Sequence, residues 1–400
     1  MSLSNGRQYL AIPGPSVIPD EVLRAMHRPS PNIYEGELAE VTNSIIPDLK
    51  YVAKTAGHVA IYIANGHGAW EAALANMVDD GDHVLVAATG RFAHGWAEMA
   101  HRLGVSSKIL EFGNQSRLDP VTIEDALRKD TDKAIKAILI THVDTSTSVK
   151  NDVAAVRNAI DAVDHPALLA VDCIASLGCD NFEMDAWGVD VMVAGCQKGL
   201  MVPPGLSFVY FSDKAKEMQN KLSRVSSYWD WAPRIAPELY YEYFCGTAPT
   251  HHIYGLRTAL DMIKSEGLDT IFQRHEKLAR AIWAAVECWG SDGGTMQMNI
   301  KDPLHRSHAV TALSIGSPDG TRLRRWVDEN AGLTLGIGLG MNCKADPNAD
   351  GFFRIGHMGH VNAQMIMGLI GTIETGLCAL NIPHGRSAAE TAAETLASSF

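Results

Sequence analysis

Asp172 and Lys198 carry the first chemical signal in this 400-residue sequence. Each follows an apolar run. Residues 167–171 end on Asp172, and residues 189–194 end in Gly195-Cys196-Gln197-Lys198-Gly199. Runs that are apolar throughout and closed by turn residues predict strands buried on both faces, as in parallel sheets. Polar residues just past such strands face the crevice in which open α/β sheets take their ligands. One carboxylate and one lysine would then share a pocket. A desolvated lysine can form a Schiff base with an aldehyde cofactor. A carboxylate beside a pyridine nitrogen keeps that nitrogen protonated and makes the ring an electron sink. The pair is what pyridoxal 5'-phosphate (PLP) needs. Taken singly, Asp172 reads equally well as a helix cap and Lys198 as a solvated loop residue.

Other stretches predict the elements that would position this pair. Residues 59–64 predict a strand, Asn65-Gly66-His67-Gly68 a turn, and residues 69–77 a helix. Strand, glycine turn and helix in that order offer backbone N–H groups and a positive dipole end to a phosphate. Residues 84–88 predict a strand leading to Thr89-Gly90-Arg91-Phe92, and 134–141 one leading to His142-Val143-Asp144-Thr145-Ser146-Thr147-Ser148. The opening, residues 10–19, is too proline-rich for a helix or a central strand; it reads as an extended arm turning into a helix at Pro19-Asp20. Residues 206–211 predict a further strand. Residues 228–247 are aromatic and irregular, which suits an interface. Helices are expected over 37–56, 252–267, 274–290 and 320–330. Residues 309–315 alternate like a half-exposed strand, 333–341 are glycine-rich, and Arg354 lies in Phe353-Arg354-Ile355-Gly356-His357-Met358-Gly359. The Ala/Ser/Glu-rich tail, 385–400, reads as a short helix or as disorder.

The Asp172 and Lys198 stretches, with Pro203-Pro204-Gly205 after them and Arg354-Ile355-Gly356 far downstream, resemble the class-V aminotransferases, small subgroup, of the alanine–glyoxylate and serine–glyoxylate kind. The resemblance runs from about residue 12 to about residue 377. It implies an α/β chain of PLP fold type I: an N-terminal arm (1–19), a large domain with a seven-stranded, mostly parallel sheet (20–265), and a smaller C-terminal α/β domain (266–400). It implies Lys198 as the Schiff-base lysine and Asp172 under the pyridine nitrogen. Asn65, Gly66 and His67 would hold the phosphate, Phe92 would stack on the ring, and Gln197 would line the cofactor site. Ser146 would bond the phenolic oxygen, with Thr145 and Thr147 as rivals. Arg354 would clamp the substrate α-carboxylate bidentately, and Gly14 and Ser16 would edge the substrate pocket. The family places a Tyr and, three residues on, a Thr against the phosphate of the other subunit's cofactor. Thr247 fills the second place, but Phe244, which cannot donate a hydrogen bond, fills the first. The implied enzyme is a homodimer with shared sites that moves an amino group from serine or alanine to glyoxylate.

Composition narrows the rest. The net charge of −12 leaves no basic surplus for nucleic-acid phosphates. Seven cysteines, an odd number with no CxxC pair, argue against a disulfide framework and structural zinc, and no metal site is expected. Cys196 reads as a small buried filler. No run has the length of a membrane-spanning helix and no signal pattern opens the chain, so a cytoplasmic protein is expected. The alternatives are a pyridoxamine–pyruvate or phosphonate transaminase, a cysteine desulfurase using Cys343 as nucleophile, and a catalytically silent scaffold of the same fold.

Overall fold

A computed structural model describes residues 2–341 and 346–398; Cys343 lies outside the described residues. In chain order the strands are β1 (Tyr9–Ala11), β2 (His58–Tyr62), β3 (His83–Ala88), β4 (Ser106–Glu111), β5 (Ile135–Thr141), β6 (Leu168–Asp172), β7 (Val191–Gly195), β8 (Ser207–Phe211), β9 (Gln297–Met298), β10 (Val310–Ser314), β11 (Leu333–Ile337) and β12 (Phe352–Gly356). β2 to β8 form a seven-stranded sheet in the order β2-β8-β7-β6-β5-β3-β4, and the others a five-stranded sheet, β1-β11-β12-β10-β9.

The large sheet is covered on both faces. Along β6, Leu169 and Val171 pack into one layer and Leu168 and Ala170 into the other; along β7, Met192 and Ala194 part from Val191 and Val193 in the same way. Successive side chains leave a strand on opposite faces, so covering both faces leaves no polar position. That is why these runs are apolar throughout. Helices Glu37–Ala53, Val153–Asp161 and Thr250–Glu266 close the first layer; Gly66–Met77 and Arg91–Arg102 close the second.

Strand pairs β3/β4, β3/β5, β5/β6 and β6/β7 are parallel, while β8 runs antiparallel to both β7 and β2. The C-terminal ends of β2, β3, β5, β6 and β7 therefore share one edge. The helix after β3 lies on one face and the helix after β5 on the other. Connections that leave neighbouring strands toward opposite faces open a crevice between them.

The smaller sheet brings two differences from the sequence expectation. β10 is buried over Val310–Leu313 rather than half exposed. Leu313 faces the helical core, and the opposite face meets Val143 and Met358 through Val310, while Ala312 N donates to Ser148 Oγ (3.2 Å). The loop after β5 covers the face that alternation had left for water. The glycine-rich segment 333–341 holds a strand, β11, and β1 adds to its edge in parallel, Leu10 opposite Thr334. β1 ends before the first proline of the arm, which cannot donate to a ladder. Two glycines let the arm continue across this sheet. A Cβ at Gly336 would come within 2.6 Å of Pro13 Cδ, and one at Gly356 within 2.1 Å of Ile12 O. The tail forms helix Ala388–Ala397, whose Ala388 and Ala392 join the core around Trp289. Among the described residues no helix is long and apolar enough to cross a membrane.

Candidate active site

The crevice gathers most of the residues singled out from the sequence. Asp172 ends β6 and is 3% exposed. Its Oδ1 accepts from Ile174 N (2.7 Å) and its Oδ2 from Trp70 Nε1 (3.0 Å). Burial pushes its pKa up to about 7, against those two donors and aided by the Asp144 charge. No cation lies within ion-pairing distance of it among the described residues. Lys198 follows β7 and is 9% exposed. Burial, helped by the Arg354 charge, brings its pKa down to about 8. A substantial fraction is then neutral near pH 8, as a nucleophilic amine requires. Its Nζ donates to Pro13 O.

The arm is fastened to this lysine. Ser16 Oγ donates to Lys198 O (2.7 Å) and Ser16 N to Gln197 O (2.9 Å). Gly14 has φ +96°, and a Cβ there would run into the Lys198 side chain. Gly14 and Ser16 therefore border the lysine through backbone and cap contacts.

Asp144 organises the switch point. It is fully buried and accepts from Phe92 N (2.9 Å), Ala93 N (3.4 Å), Ser146 N (2.9 Å) and Ser146 Oγ (2.5 Å). It caps helix Arg91–Arg102, which Gly90 does not cap by side chain. The Ser146 hydroxyl is thus turned to Asp144 and also accepts from Arg91 N (3.1 Å). Arg354, in β12, is 5% exposed; its Nε donates to Ile337 O and its Nη1 to Thr145 O, both at 2.8 Å. Burial lowers its pKa to about 10, which leaves it charged at neutral pH.

At the third corner, Asn65 caps helix Gly66–Met77, its Oδ1 accepting from His67 N (3.0 Å) and Gly68 N (3.3 Å). Glycine at 66 leaves room for Ile174, since a Cβ would come within 2.5 Å of Ile174 Cδ1 and displace that side chain. His67 packs on Trp70, ring centres 4.6 Å apart, and burial, with the Arg91 charge, lowers its pKa. Phe92 meets Trp70 edge-on at 6.1 Å. A cavity of about 630 Å³, lined by His67, Trp70, Arg91, Phe92 and Leu339 among others, opens beside these rings.

Thr247 is not brought in. It is exposed and forms no hydrogen bond among the described residues. Phe244 is buried in the large core, and the Tyr243 hydroxyl donates to Asn43 Oδ1 (2.8 Å). Cys196 is fully buried, its thiol pushed up to about 12 by burial, so it is inert.

The model for "Aminotransferase class-V" matches residues 8–364. The chain belongs to the class-V aminotransferases. It is 37% identical over 381 residues to the serine–glyoxylate aminotransferase of Methylorubrum extorquens, spanning 93% of this chain and 91% of that one. It is 34% identical over 376 residues to the L-aspartate–glyoxylate aminotransferase of Paracoccus denitrificans, again 93% and 91%. The crystal structure of the alanine–glyoxylate aminotransferase from Nostoc sp. superimposes with a TM-score of 0.82 at 27% identity, covering 93% of this chain and 96% of that one. Two residues of this candidate site escaped the sequence reading. Trp70 looks like any core tryptophan and Asp144 like any loop aspartate. Their partners lie 102 and 52 positions away, so no local pattern marks them.

Proposed function

We propose that this aminotransferase holds PLP at Lys198 and Asp172 and transfers the amino group of a small amino acid, serine or alanine, to glyoxylate. The observation that carries the reading is the buried Asp172 carboxylate without a cation, set beside a lysine whose amine is partly neutral. A protonated ring nitrogen is the partner that this carboxylate lacks, so the donor set fits the group. Gly66, with no Cβ to fill its cradle, and the start of helix Gly66–Met77 suit the phosphate. Bound there, PLP supplies an aldehyde that captures amines and a ring that takes up the electrons released at Cα.

The chain's own residues then have distinct tasks. Lys198 Nζ, kept partly neutral, would accept the substrate Cα proton. Asp172 holds the positive ring nitrogen. Arg354, anchored through Nε and Nη1, presents Nη2 and the remaining Nη1 hydrogen to an α-carboxylate. Phe92 offers its ring face, Ser146 or its neighbour Thr145 a hydroxyl, and Gln197 lines the floor beside Lys198. The arm closes the substrate side with Gly14 and Ser16. Two separate sheets and cores support a division into arm (1–19), large domain (20–265) and small domain (266–400), with β1 of the arm adding to the smaller sheet. The proposed enzyme is a cytoplasmic homodimer, and the exposure of Thr247 supports an assembly in which Thr247 completes the partner's phosphate site.

The glyoxylate reading draws on the relatives named above, all glyoxylate aminotransferases. A dicarboxylic donor such as aspartate is the second reading, favoured by Arg91, an exposed guanidinium that makes no ion pair among the described residues and lines the cavity beside Phe92. Half-reactions of the PLP and pyridoxamine forms against a panel of amino and 2-oxo acids test both. Serine or alanine with glyoxylate should give the highest kcat/KM. A preference for pyridoxamine with pyruvate, or no half-reaction with any amino acid, would overturn the reading.

A further inference from the structure

Trp70 has more contacts with the proposed cofactor machinery than any residue behind it needs for packing. It is 1% exposed, in helix Gly66–Met77. Its indole N–H donates to Asp172 Oδ2 (3.0 Å), while Ile174 N donates to Oδ1 (2.7 Å). Each carboxylate oxygen thus has one fixed donor and keeps a lone pair for something else. The same indole lies 4.6 Å from the His67 ring, edge-on to Phe92 at 6.1 Å, and stacked on Trp96 at 6.1 Å and 13°. One side chain therefore touches the groups assigned to the ring nitrogen, the ring face and the phosphate.

The plainer account is a core tryptophan that found the nearest acceptor. Two neighbours argue against it. The buried indole nitrogens of Trp96 and Trp231 have no hydrogen-bond partner among the described residues. This core does not force every indole to be satisfied, so the Trp70–Asp172 contact is a selected one.

We propose that Trp70 is a positioning residue for the cofactor, acting through Asp172: its N–H fixes the carboxylate's orientation and holds it ionised beneath the ring nitrogen. The inference rests on the PLP reading above. Asp172 is faced by the Asp144 carboxylate, which opposes its ionisation, and by the Lys198 amine, which favours it; the Cys173 thiol is adjacent in the chain, and His67 lies on the helix that carries Trp70. None of these donates a hydrogen bond to either oxygen, so the indole and Ile174 N are the two fixed donors.

The test compares the PLP dissociation constant, by equilibrium dialysis against pH, for wild type, Trp70→Phe, Asp172→Asn and the double variant, with Trp96→Phe as a packing control. Loss of one hydrogen bond to a charged group predicts about 10- to 100-fold weaker PLP binding in Trp70→Phe at neutral pH. Asp172 then protonates more easily, so the pH below which PLP is released moves upward. The visible absorption of the bound cofactor shifts toward its unprotonated-ring form. In the Asp172→Asn background the same change should cost no more than about twofold and move no pH profile, because the carboxylate charge that the indole N–H stabilises is already gone. If Trp70→Phe does not fold, 3-benzothienylalanine at position 70, with sulfur in place of the N–H, removes the donor at constant shape. Equal losses in both backgrounds, or a Trp96→Phe variant with the same pH shift, would show that Trp70 only packs. A wild-type protein that binds no PLP would overturn the function itself, an outcome distinct from tight PLP binding that is indifferent to Trp70.

Discussion

Lys198 is the residue at which burial, charge and reactivity meet. Desolvation disfavours its charged form, so its amine is freed at a lower pH than an exposed lysine's. In the cofactor-free protein, labelling of Lys198 by an amine-directed reagent should rise through about pH 8, whereas an ordinary lysine has its midpoint at 10.5. A midpoint near 10.5 would show the side chain to be solvated. Arg354 makes a second prediction. On the proposed reading Arg354 is a buried carboxylate clamp, so Arg354→Ala should lower kcat/KM by the equivalent of about 2–5 kcal/mol for every donor and acceptor bearing an α-carboxylate. Steady-state kinetics with glyoxylate checks it, and an unchanged value would refute the role. Lys198, Asp172 and Arg354 were legible because each closes or interrupts a recognisable run. Trp70 and Asp144 were not, because a hydrogen bond between distant segments leaves no trace in either one.

Elements were legible where one period or one breaker dominates. β6 and β7 announce themselves by unbroken apolar runs. β11 did not, because the glycines that thin its pattern are there to admit the arm, and β10 was misread because the loop after β5 buries its outer face. The stretch Asn65–Gly68 was read as a turn before a helix at 69, whereas the helix already begins at Gly66 with Asn65 as its cap, a role that shows only in the Asn65 bonds from His67 N and Gly68 N. Asn65→Ala should cost about 0.5–2 kcal/mol of stability, measured by urea unfolding of the cofactor-free protein. Gly66→Ala is the sharper change. Its Cβ would press on the side chain of Ile174, the residue whose own N–H holds Asp172, so PLP affinity should fall more than stability does. Equal losses would place the effect in the helix alone.

At the scale of the whole molecule, the two sheets meet at Lys198. The large sheet supplies Asp172 and Lys198, the small sheet Arg354, and the arm joins them through Pro13 and Ser16. In the proposed homodimer Thr247, exposed on the single chain, would extend this to two chains. An inactive Lys198→Ala chain mixed with a Thr247→Ala chain should recover PLP affinity at one hybrid site per dimer, seen by dialysis; hybrids with no recovery would mean that each site is built from one chain. The aromatic stretch 228–247 suggested an interface in the sequence, but residue types alone do not say which face would meet a copy of the chain. The central claim is that one lysine carries the cofactor. Borohydride reduction of the PLP-loaded enzyme followed by peptide mapping tests it most directly: a single pyridoxyl adduct on Lys198, lost in Lys198→Ala, is predicted, and an adduct on another lysine, or one that persists in Lys198→Ala, would contradict it.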